Sequence, residues 1–306
     1  MTTFADFEIV SELARGGQGS VYRAVHAPTG RTVALKMLTD SRPEALKRFR
    51  QEARVLARLR HPNVLQVIDH GDHQGTPYLA TELVEGTDLD ASVEAHGVPI
   101  PKEAARLVAA VAQALEYCHG RGVVHRDVKP ANVVLEQGSG RTVLIDFGLV
   151  KRDINQMHLA SLDASVMSAD AKVKGTPAFM APEQVNPREF GEVGPRTDVY
   201  GLGALLYYLL TGQVPFDGRA MVIVMRKVTR KLPVDPRVLR PHLPDALAVL
   251  CMQSLAKEQG DRPGSAAEFA VALCRAAGLP PPSAQPDDPT LDRSEALPSG
   301  GGGPPP

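Results

Sequence analysis

The sequence predicts an α+β protein with two unequal lobes, a small one built mostly of strands and a larger one built mostly of helices. Short β-like runs alternate with turn residues up to Leu38, which is typical of an antiparallel meander. Beyond Val84 the apolar residues recur at helical spacing instead. The 306 residues, 43% of them hydrophobic, are enough to bury a core in each lobe.

The small lobe is expected to span residues 1–84 and to contain one helix among its strands. The predicted strands are Ile9–Leu13, Val21–Val25, Val33–Leu38, Val64–Ile68 and Tyr78–Val84. Ser41 and Glu44 have the spacing of a capping box. Phe49, Ala53 and Leu56 then recur on one helical face, so a helix is predicted between the third and fourth strands.

The large lobe is expected to span residues 85–278 and to begin with a helix at Lys102–His119. The most apolar segment, Val199–Leu210, is shorter than the roughly 20 residues needed to cross a bilayer. We therefore predict a buried helix there and no membrane segment. Residues 279–306 are rich in proline and glycine, a composition that cannot repay the entropy of ordering, and are predicted to be a disordered tail or linker.

Composition and charge exclude several classes of protein. The 34 basic and 35 acidic side chains give a net charge of -1, so no overall field would attract nucleic acid or a membrane. Asp6 and Glu8 occupy the place where a signal peptide carries basic and apolar residues. Cys118, Cys251 and Cys274 lack metal or disulfide spacing. We therefore expect a cytoplasmic protein that binds no nucleic acid.

Two features of the small lobe suit a polyphosphate ligand. The run Gly16–Gly19 lies between predicted strands, where backbone N–H groups could approach phosphates closely; a glycine-rich hairpin turn is the alternative. Lys36 lies on a largely apolar strand and Glu52 on the apolar side of the predicted helix. Burying either charge alone is costly, so we expect Lys36 and Glu52 to pair. The alternative is that Lys36 extends to solvent and Glu52 lies at the margin of its helix.

Two polar motifs follow in the large lobe, each next to an apolar run. In the first, Asp127 could accept a proton from an attacking hydroxyl, Lys129 could offset phosphoryl charge, and Asn132 could bind Mg²⁺. In the second, Asp146 precedes Phe147-Gly148 and could supply another Mg²⁺ ligand. A polar hairpin and an ordinary turn are the alternative interpretations.

Taken in order, these motifs resemble the eukaryotic-type, or Hanks-type, serine/threonine protein kinases, with the compact length of bacterial members. The resemblance covers Phe7 to about Ala277. It implies the bilobal protein kinase fold, in which a small, mostly β N-lobe carries one regulatory helix and the larger C-lobe is α-helical. It also implies transfer of the ATP γ-phosphoryl group to serine or threonine hydroxyls of proteins, with Mg²⁺, or Mn²⁺ in its place, as the metal.

The same resemblance implies roles for individual residues. Asp127 would be the catalytic base, with Lys129, Lys36 and Glu52 completing the catalytic set, and Asn132 and Asp146 would bind the metal. The residues that would contact ATP are Leu13, Ala14, Gly16, Gly17, Gln18, Gly19, Val21, Ala34, Lys36, Thr81, Glu82, Val84 and Val134. Among these, Thr81 would be the gatekeeper, and Glu82 to Val84 would form the adenine hinge.

The resemblance also extends to the activation segment. Ala181-Pro182-Glu183 matches the marker that closes it, Glu183 would pair with Arg262, and Asp198 would anchor the catalytic loop or cap its own helix. Arg126 is typical of kinases whose segment becomes ordered when a phosphate pairs with this arginine. Candidate phosphate acceptors are Ser161, Ser165, Ser168 and Thr176. The implied partners are protein substrates and a second copy of the chain for trans-autophosphorylation.

Two residues depart from the family pattern. Ala14 stands where the phosphate loop has its first glycine, and Val128 stands where the family has leucine. A Cβ at Ala14 could stiffen the loop and alter ATP affinity, which favours the alternative of a weak pseudokinase acting as a nucleotide-dependent scaffold. A small-molecule phosphotransferase would lack the Ala181–Glu183 segment, so a protein kinase is the preferred interpretation.

Overall fold

The structure, a computed structural model, describes residues 2–16, 19–38, 42–147, 176–218 and 220–282, apart from the side chains of Arg48, Glu52 and Thr176. Within these ranges a sheet with one long helix precedes a mostly helical lobe, which confirms the predicted α+β architecture. Cys118, Cys251 and Cys274 are buried and free. None of the described helices is long and apolar enough to span a membrane.

One antiparallel sheet dominates the N-terminal lobe. Its strands are β1 (Thr2–Phe4), β2 (Phe7–Gly16), β3 (Gly19–His26), β4 (Arg31–Leu38), β5 (Val67–His73) and β6 (Thr76–Glu82). They are ordered β1-β2-β3-β4-β6-β5, and β2, β3 and β4 form the predicted meander. The short edge strand β1, which pairs with β2, was not predicted. Val64 does not start a strand as expected, because it forms an isolated bridge to Leu144 of the other lobe.

Helix α1 (Pro43–Leu56) packs through one apolar face. Its buried residues Phe49, Ala53 and Leu56 belong to the same core cluster as Leu38 of β4, as the helical spacing predicted. The capping box was wrong in detail. The N-cap is Arg42, whose side chain makes no capping bond, and a proline at the first helical position fixes the start.

The C-terminal lobe is built from helices around one core. They are α2 (Leu89–His96), α3 (Pro101–His119), α4 (Pro182–Val185), α5 (Pro187–Phe190), α6 (Pro195–Thr211), α7 (Met221–Arg230), α8 (Pro236–Leu239), α9 (Asp245–Ser254) and α10 (Ala266–Ala276). A small antiparallel sheet contains β7 (Gly86–Asp88), β8 (Val133–Glu136) and β9 (Thr142–Leu144). Helix α2 was not predicted, although its N-cap Asp88 accepts a hydrogen bond from the backbone N–H of Ala91.

Helix α6 is the centre of this lobe, and its residues from Thr197 to Leu210 are all buried. Gly201 allows it to approach the loop after α3, because a Cβ there would lie 2.7 Å from Cβ of Val128. The polar motif of that loop therefore rests on a fully packed helix rather than on solvent-exposed backbone.

A buried ion pair ties α4 to the segment before α10. Nη1 and Nη2 of Arg262 donate to Oε1 and Oε2 of Glu183 at 2.7 and 2.8 Å, and both side chains are 0% exposed. Thr197 of α6 also donates to Glu183. Because its charges are hydrogen-bonded on both sides, the pair can remain ionised in the core.

A second junction fastens the α1–β5 connection to α3. The backbone N–H of Arg60 donates to the Tyr117 hydroxyl at 2.8 Å, and the His61 and Tyr117 ring centroids are 5.1 Å apart. The Arg121 guanidinium lies 3.7 Å from the Tyr117 ring centroid. Burial, aided by the Arg121 charge, lowers the pKa of His61 from 6.5 to about 4.

Arg262→Ala should lower the free energy of unfolding by about 3–5 kcal/mol, because it leaves the Glu183 carboxylate buried without its partner. Arg230→Ala is the matched control, since Arg230 makes a bidentate pair with Glu189 but is 60% exposed; its loss should cost under about 1 kcal/mol. Urea unfolding of both variants gives the comparison. Equal losses would contradict the structural importance of the buried pair.

Acidification should destabilise the protein through His61. The unfolded histidine takes up its proton near pH 6.5 and the folded one only near pH 4, so stability is present above pH 6.5 and is lost as pH falls toward 4. The full difference in pKa would correspond to about 3 kcal/mol, but the ring is only partly buried and solvent screens it, so His61→Asn should remove about 2 kcal/mol of this dependence. The measurement is urea unfolding at several pH values, with exposed His96→Asn as control; parallel curves for wild type and His61→Asn would refute the assignment.

Candidate active site

The first polar motif is held in place by Asp198 of α6. Oδ2 accepts a hydrogen bond from the backbone N–H of His125 at 2.8 Å, and Oδ1 accepts one from the N–H of Arg126 at 2.7 Å. His119 Nε2 lies 2.7 Å from the same carboxylate, which is 0% exposed. The N-cap of α6 is Gly194, so Asp198 acts on the loop and does not cap its own helix.

His125 connects this loop to the second motif. Its Nδ1 accepts from the backbone N–H of Asp127 at 3.2 Å, so Nε2 carries the proton and donates to the Ile145 carbonyl, also at 3.2 Å. Burial holds the pKa of His125 below its usual range, which agrees with this neutral form. The His125 and Phe147 ring centroids are 4.6 Å apart with the rings tilted by 50°, and this ring contact joins the two motifs.

Asp127 lies in a compact polar cluster. Its Oδ2 is 2.9 Å from Lys129 Nζ and accepts a hydrogen bond of 2.8 Å from Asn132 Nδ2. Asn132 Nδ2 also donates to the Asp127 carbonyl and lies 3.5 Å from the Asp146 carbonyl. The Asp127 side chain is 3% exposed, so this carboxylate is held in a fixed orientation by a cation and an amide.

Lys36 and Asp146 link the two lobes across the cleft. Lys36 Nζ of β4 is 3.4 Å from Asp146 Oδ1, longer than a charge-assisted hydrogen bond of about 2.8 Å. The side chains are 32% and 48% exposed, so solvent or a ligand can reach both. The side chain of Glu52 lies outside the described residues, and its pairing with Lys36 stays a prediction.

Strand register aligns the predicted nucleotide residues of the N-terminal lobe. Ala14 lies opposite Val21, and Val21 lies opposite Lys36, so the three form a row across β2, β3 and β4. Leu13 falls at the β-bulge between Glu12 and Ala14. Gly16 pairs with Gly19 at the hairpin end, whereas Gly17 and Gln18 lie outside the described residues.

Gly19 has a packing requirement of its own. A Cβ at this position would lie 2.2 Å from the Met37 carbonyl oxygen, so no other residue fits without moving the backbone. The glycine therefore keeps β3 close to β4 directly beside Lys36. This is a structural reason for the residue in addition to the predicted approach of phosphates.

The connection after β6 joins the sheet of the N-terminal lobe to the small sheet of the C-terminal lobe. Thr81 is 7% exposed and lies opposite Ala34, and Val134 of β8 lies opposite Asp88 of β7. Glu82 ends β6, and its carboxylate accepts a hydrogen bond from the Gln66 backbone at 3.0 Å. Val84 follows two residues later and is partly exposed. The residues predicted to surround an adenine thus line the connection between the two sheets.

Two residues of the motifs adopt left-handed backbone conformations. Arg126 has φ of 67° and Asp146 has φ of 49°. Such conformations cost of order 1–3 kcal/mol in residues other than glycine, and they cluster at functional sites. Both flank the Asp127 cluster, so the fold maintains strain where the two motifs meet.

One hydrogen bond to the backbone of the catalytic loop was not predicted from the sequence. Gln184 of α4 donates from Nε2 to the Arg126 carbonyl at 2.7 Å, and its Oε1 accepts from the Ala181 backbone. It follows the predicted Ala181–Glu183 marker directly. Of the predicted phosphate acceptors, Ser161, Ser165 and Ser168 lie outside the described residues, as does the side chain of Thr176.

Comparison with known proteins now places the chain. A family model described as the protein kinase domain matches residues 7–272. The chain belongs to the protein kinase family. The matched region contains every motif described above, and the resemblance drawn from the sequence motifs is confirmed.

Relatives of this kinase domain are bacterial serine/threonine-protein kinases. The DNA damage-responsive RqkA of Deinococcus radiodurans is 38% identical over 86% of this chain and 38% of its own length. PknA of Mycobacterium tuberculosis is 35% identical over 94% of this chain and 65% of its own. The crystal structure of the PknI kinase domain of M. tuberculosis has a TM-score of 0.69 and 32% identity, covering 90% of this chain and 98% of that one.

Asp198→Asn should loosen the catalytic loop, because the amide retains one acceptor but faces the loop with an N–H₂ group. Losing a buried acceptor costs about 1–3 kcal/mol, so the amide hydrogens of His125 and Arg126 should exchange roughly 10- to 100-fold faster. NMR hydrogen exchange measures this, with Asp90→Asn, whose carboxylate binds the Tyr208 hydroxyl, as control. Unchanged exchange at both amides would show that Asp198 does not hold the loop.

Proposed function

We propose that this kinase domain transfers the γ-phosphoryl group of ATP to serine or threonine hydroxyls of proteins, and that residues 1–84 and 85–278 are its two lobes. The observation that carries the proposal is the convergence of Asp127, Lys129, Asn132 and Asp146 opposite Lys36. These are the cations, carboxylates and amide that phosphoryl transfer requires. The chain matches only part of the length of its relatives. The activity of the full protein is therefore included in this proposal.

Each residue would have a separate task. Lys36 would hold the α- and β-phosphates, and its long contact with Asp146 leaves both groups accessible to them. Asp127, fixed by Lys129 and Asn132, would orient the acceptor hydroxyl and take its proton, while Lys129 offsets charge on the transferring group. Mg²⁺ would neutralise the phosphate oxygens, and the oxygen ligands available on Asp146 and Asn132 are of the type it prefers.

Regulation by phosphorylation is part of this proposal. Arg126 is held beside the catalytic cluster through its backbone by Asp198 and Gln184, where its guanidinium could meet a phosphate carried by the activation segment. Ser161, Ser165, Ser168 and Thr176 are the candidate acceptors, modified by a second copy of the chain. The free cysteines agree with a reducing, cytoplasmic setting.

A nucleotide-binding pseudokinase is the second candidate. Ala14, on the strand that borders the phosphate loop and opposite Val21, is the observation that favours it, because its Cβ limits the backbone turn available to a glycine. The intact Asp127 cluster supports the active kinase instead. Turnover measured together with nucleotide binding separates the two.

Asp127→Asn should abolish most turnover, by roughly 10²- to 10⁴-fold, because the amide cannot accept the proton of the acceptor hydroxyl. ADP affinity should stay within about twofold of the wild-type value, since Asp127 is expected to contact the acceptor hydroxyl and not the adenine of the nucleotide. The assay is incubation with Mg²⁺ and γ-labelled ATP, with phosphosites mapped by mass spectrometry and ADP affinity measured by calorimetry.

The control for this variant is Glu103→Gln, which removes a carboxylate from an exposed pair with Arg106 on α3 and should leave turnover unchanged. Label on serine or threonine of wild type and Glu103→Gln alone would support the kinase. Equal absence of label in all three proteins, despite ADP binding, would favour the pseudokinase.

A further inference from the structure

Arg141, in the turn between β8 and β9, joins three segments that are distant in sequence. Its Nε and Nη2 donate to the Glu136 carboxylate at 3.0 and 2.9 Å. Nη2 also donates to Glu82 Oε2 at 2.9 Å, and Nη1 donates to the Pro62 carbonyl at 3.2 Å. The guanidinium thereby connects its own hairpin to the end of β6 and to the α1–β5 connection.

Glu82 is held on both sides of its carboxylate. Oε1 accepts from the Gln66 backbone at 3.0 Å, while Oε2 is bound to Arg141. The backbone N–H of Glu82 donates in turn to the Gln66 carbonyl at 2.8 Å. Glu82 is the first residue of the predicted adenine hinge, and its side chain is 18% exposed. By binding this side chain, Arg141 restrains one end of the hinge.

The same hairpin also holds the other end of the hinge. The backbone N–H of Gln137 donates to the Glu85 carbonyl at 2.8 Å, and β7 then pairs with β8 starting at Gly86 opposite Glu136. Between these two fixed points lie Leu83 and Val84. Among the described residues, no backbone hydrogen bond occupies the N–H or C=O of Val84.

Hydrogen bonds within the turn link Arg141 to its neighbours and can transmit the restraint. The Ser139 hydroxyl donates to Glu136, and the Arg141 backbone N–H donates to Ser139. Asn63 Nδ2 donates to the Thr142 carbonyl at 2.7 Å. The Arg141 side chain is 27% exposed, which screens its ion pairs only in part. The Arg141 guanidinium uses four of its five N–H groups in the hydrogen bonds to Glu136, Glu82 and Pro62.

We propose that Arg141 is a positioning residue that fixes the hinge for the base of the nucleotide. A hinge restrained before binding loses less conformational freedom when the base pairs with its backbone, which raises affinity without new contacts to the ligand. Arg141 donates to Glu136, Glu82 and Pro62 and to none of the residues assigned to the phosphoryl group, so it should affect binding of the nucleotide base and leave the chemical step unchanged. The inference rests on the proposed function, because it presumes that a nucleotide binds here.

The test is calorimetry of the whole chain with ADP and with adenosine, together with steady-state kinetics. Arg141→Ala should weaken both ligands by the same factor, about tenfold, while kcat at saturating ATP stays within about twofold. Arg141→Lys keeps a cation near Glu82 but loses the fork, and should recover part of the affinity. The matched control is Arg106→Ala, which breaks an exposed bidentate pair with Glu103 and should leave both affinities unchanged.

Several outcomes would overturn the inference. If Arg141→Ala binds ADP and adenosine as tightly as wild type does, the positioning role is excluded and the proposed function is unaffected. If the calorimetric stoichiometry of Arg141→Ala falls while its affinity is unchanged, Arg141 contributes to folding only. If Arg141→Ala does not fold, Arg141→Lys replaces it in the test, and an affinity of Arg141→Lys equal to that of wild type would likewise assign Arg141 to folding only. No binding of ADP by wild type would overturn the proposed function itself.

Discussion

The buried carboxylate of Asp198 is the interaction on which the polar site depends. A fully buried charge is tolerated only when donors surround it, and here the donors are two consecutive backbone N–H groups of the catalytic loop and His119. These bonds hold the backbone of Arg126, which has a left-handed conformation, directly before Asp127. Because α6 is buried along nearly its whole length, the anchor cannot move without disturbing the core.

Contacts between the lobes differ in strength according to their place. At the hinge, Arg141 donates to Glu82 at 2.9 Å and to the Pro62 carbonyl at 3.2 Å, and in the α1–β5 connection the backbone N–H of Arg60 donates to the Tyr117 hydroxyl. Inside the cleft, by contrast, Lys36 and Asp146 are 3.4 Å apart and accessible to solvent. The lobes are thus tightly joined along the side where a base would bind and loosely joined where phosphates and metal would enter, which suits a site that must admit and release a charged ligand.

Much of the fold could be predicted because local patterns and packing agree. Short β-like runs between turn residues predict the meander of β2 to β4, helical spacing predicts the buried face of α1, and a long apolar run predicts the buried helix α6. The strand β1 and the helix α2 were missed because both are short and carry weak apolar patterns. The predicted cap of α1 failed because Pro43, which fits the first turn of a helix, outweighed the spacing of Ser41 and Glu44.

The sequence by itself determined which residue types lie together locally: Asp127, Lys129 and Asn132 are so close in the chain that one loop must contain all of them. Only the tertiary structure decided the long-range partners, namely Asp198 for the loop backbone, Gln184 for the Arg126 carbonyl and Arg141 for Glu82. The physical reason is that a polar side chain in a turn has no periodic pattern to indicate its partner. Its hydrogen bonds are chosen by which donors and acceptors the packed core brings within reach.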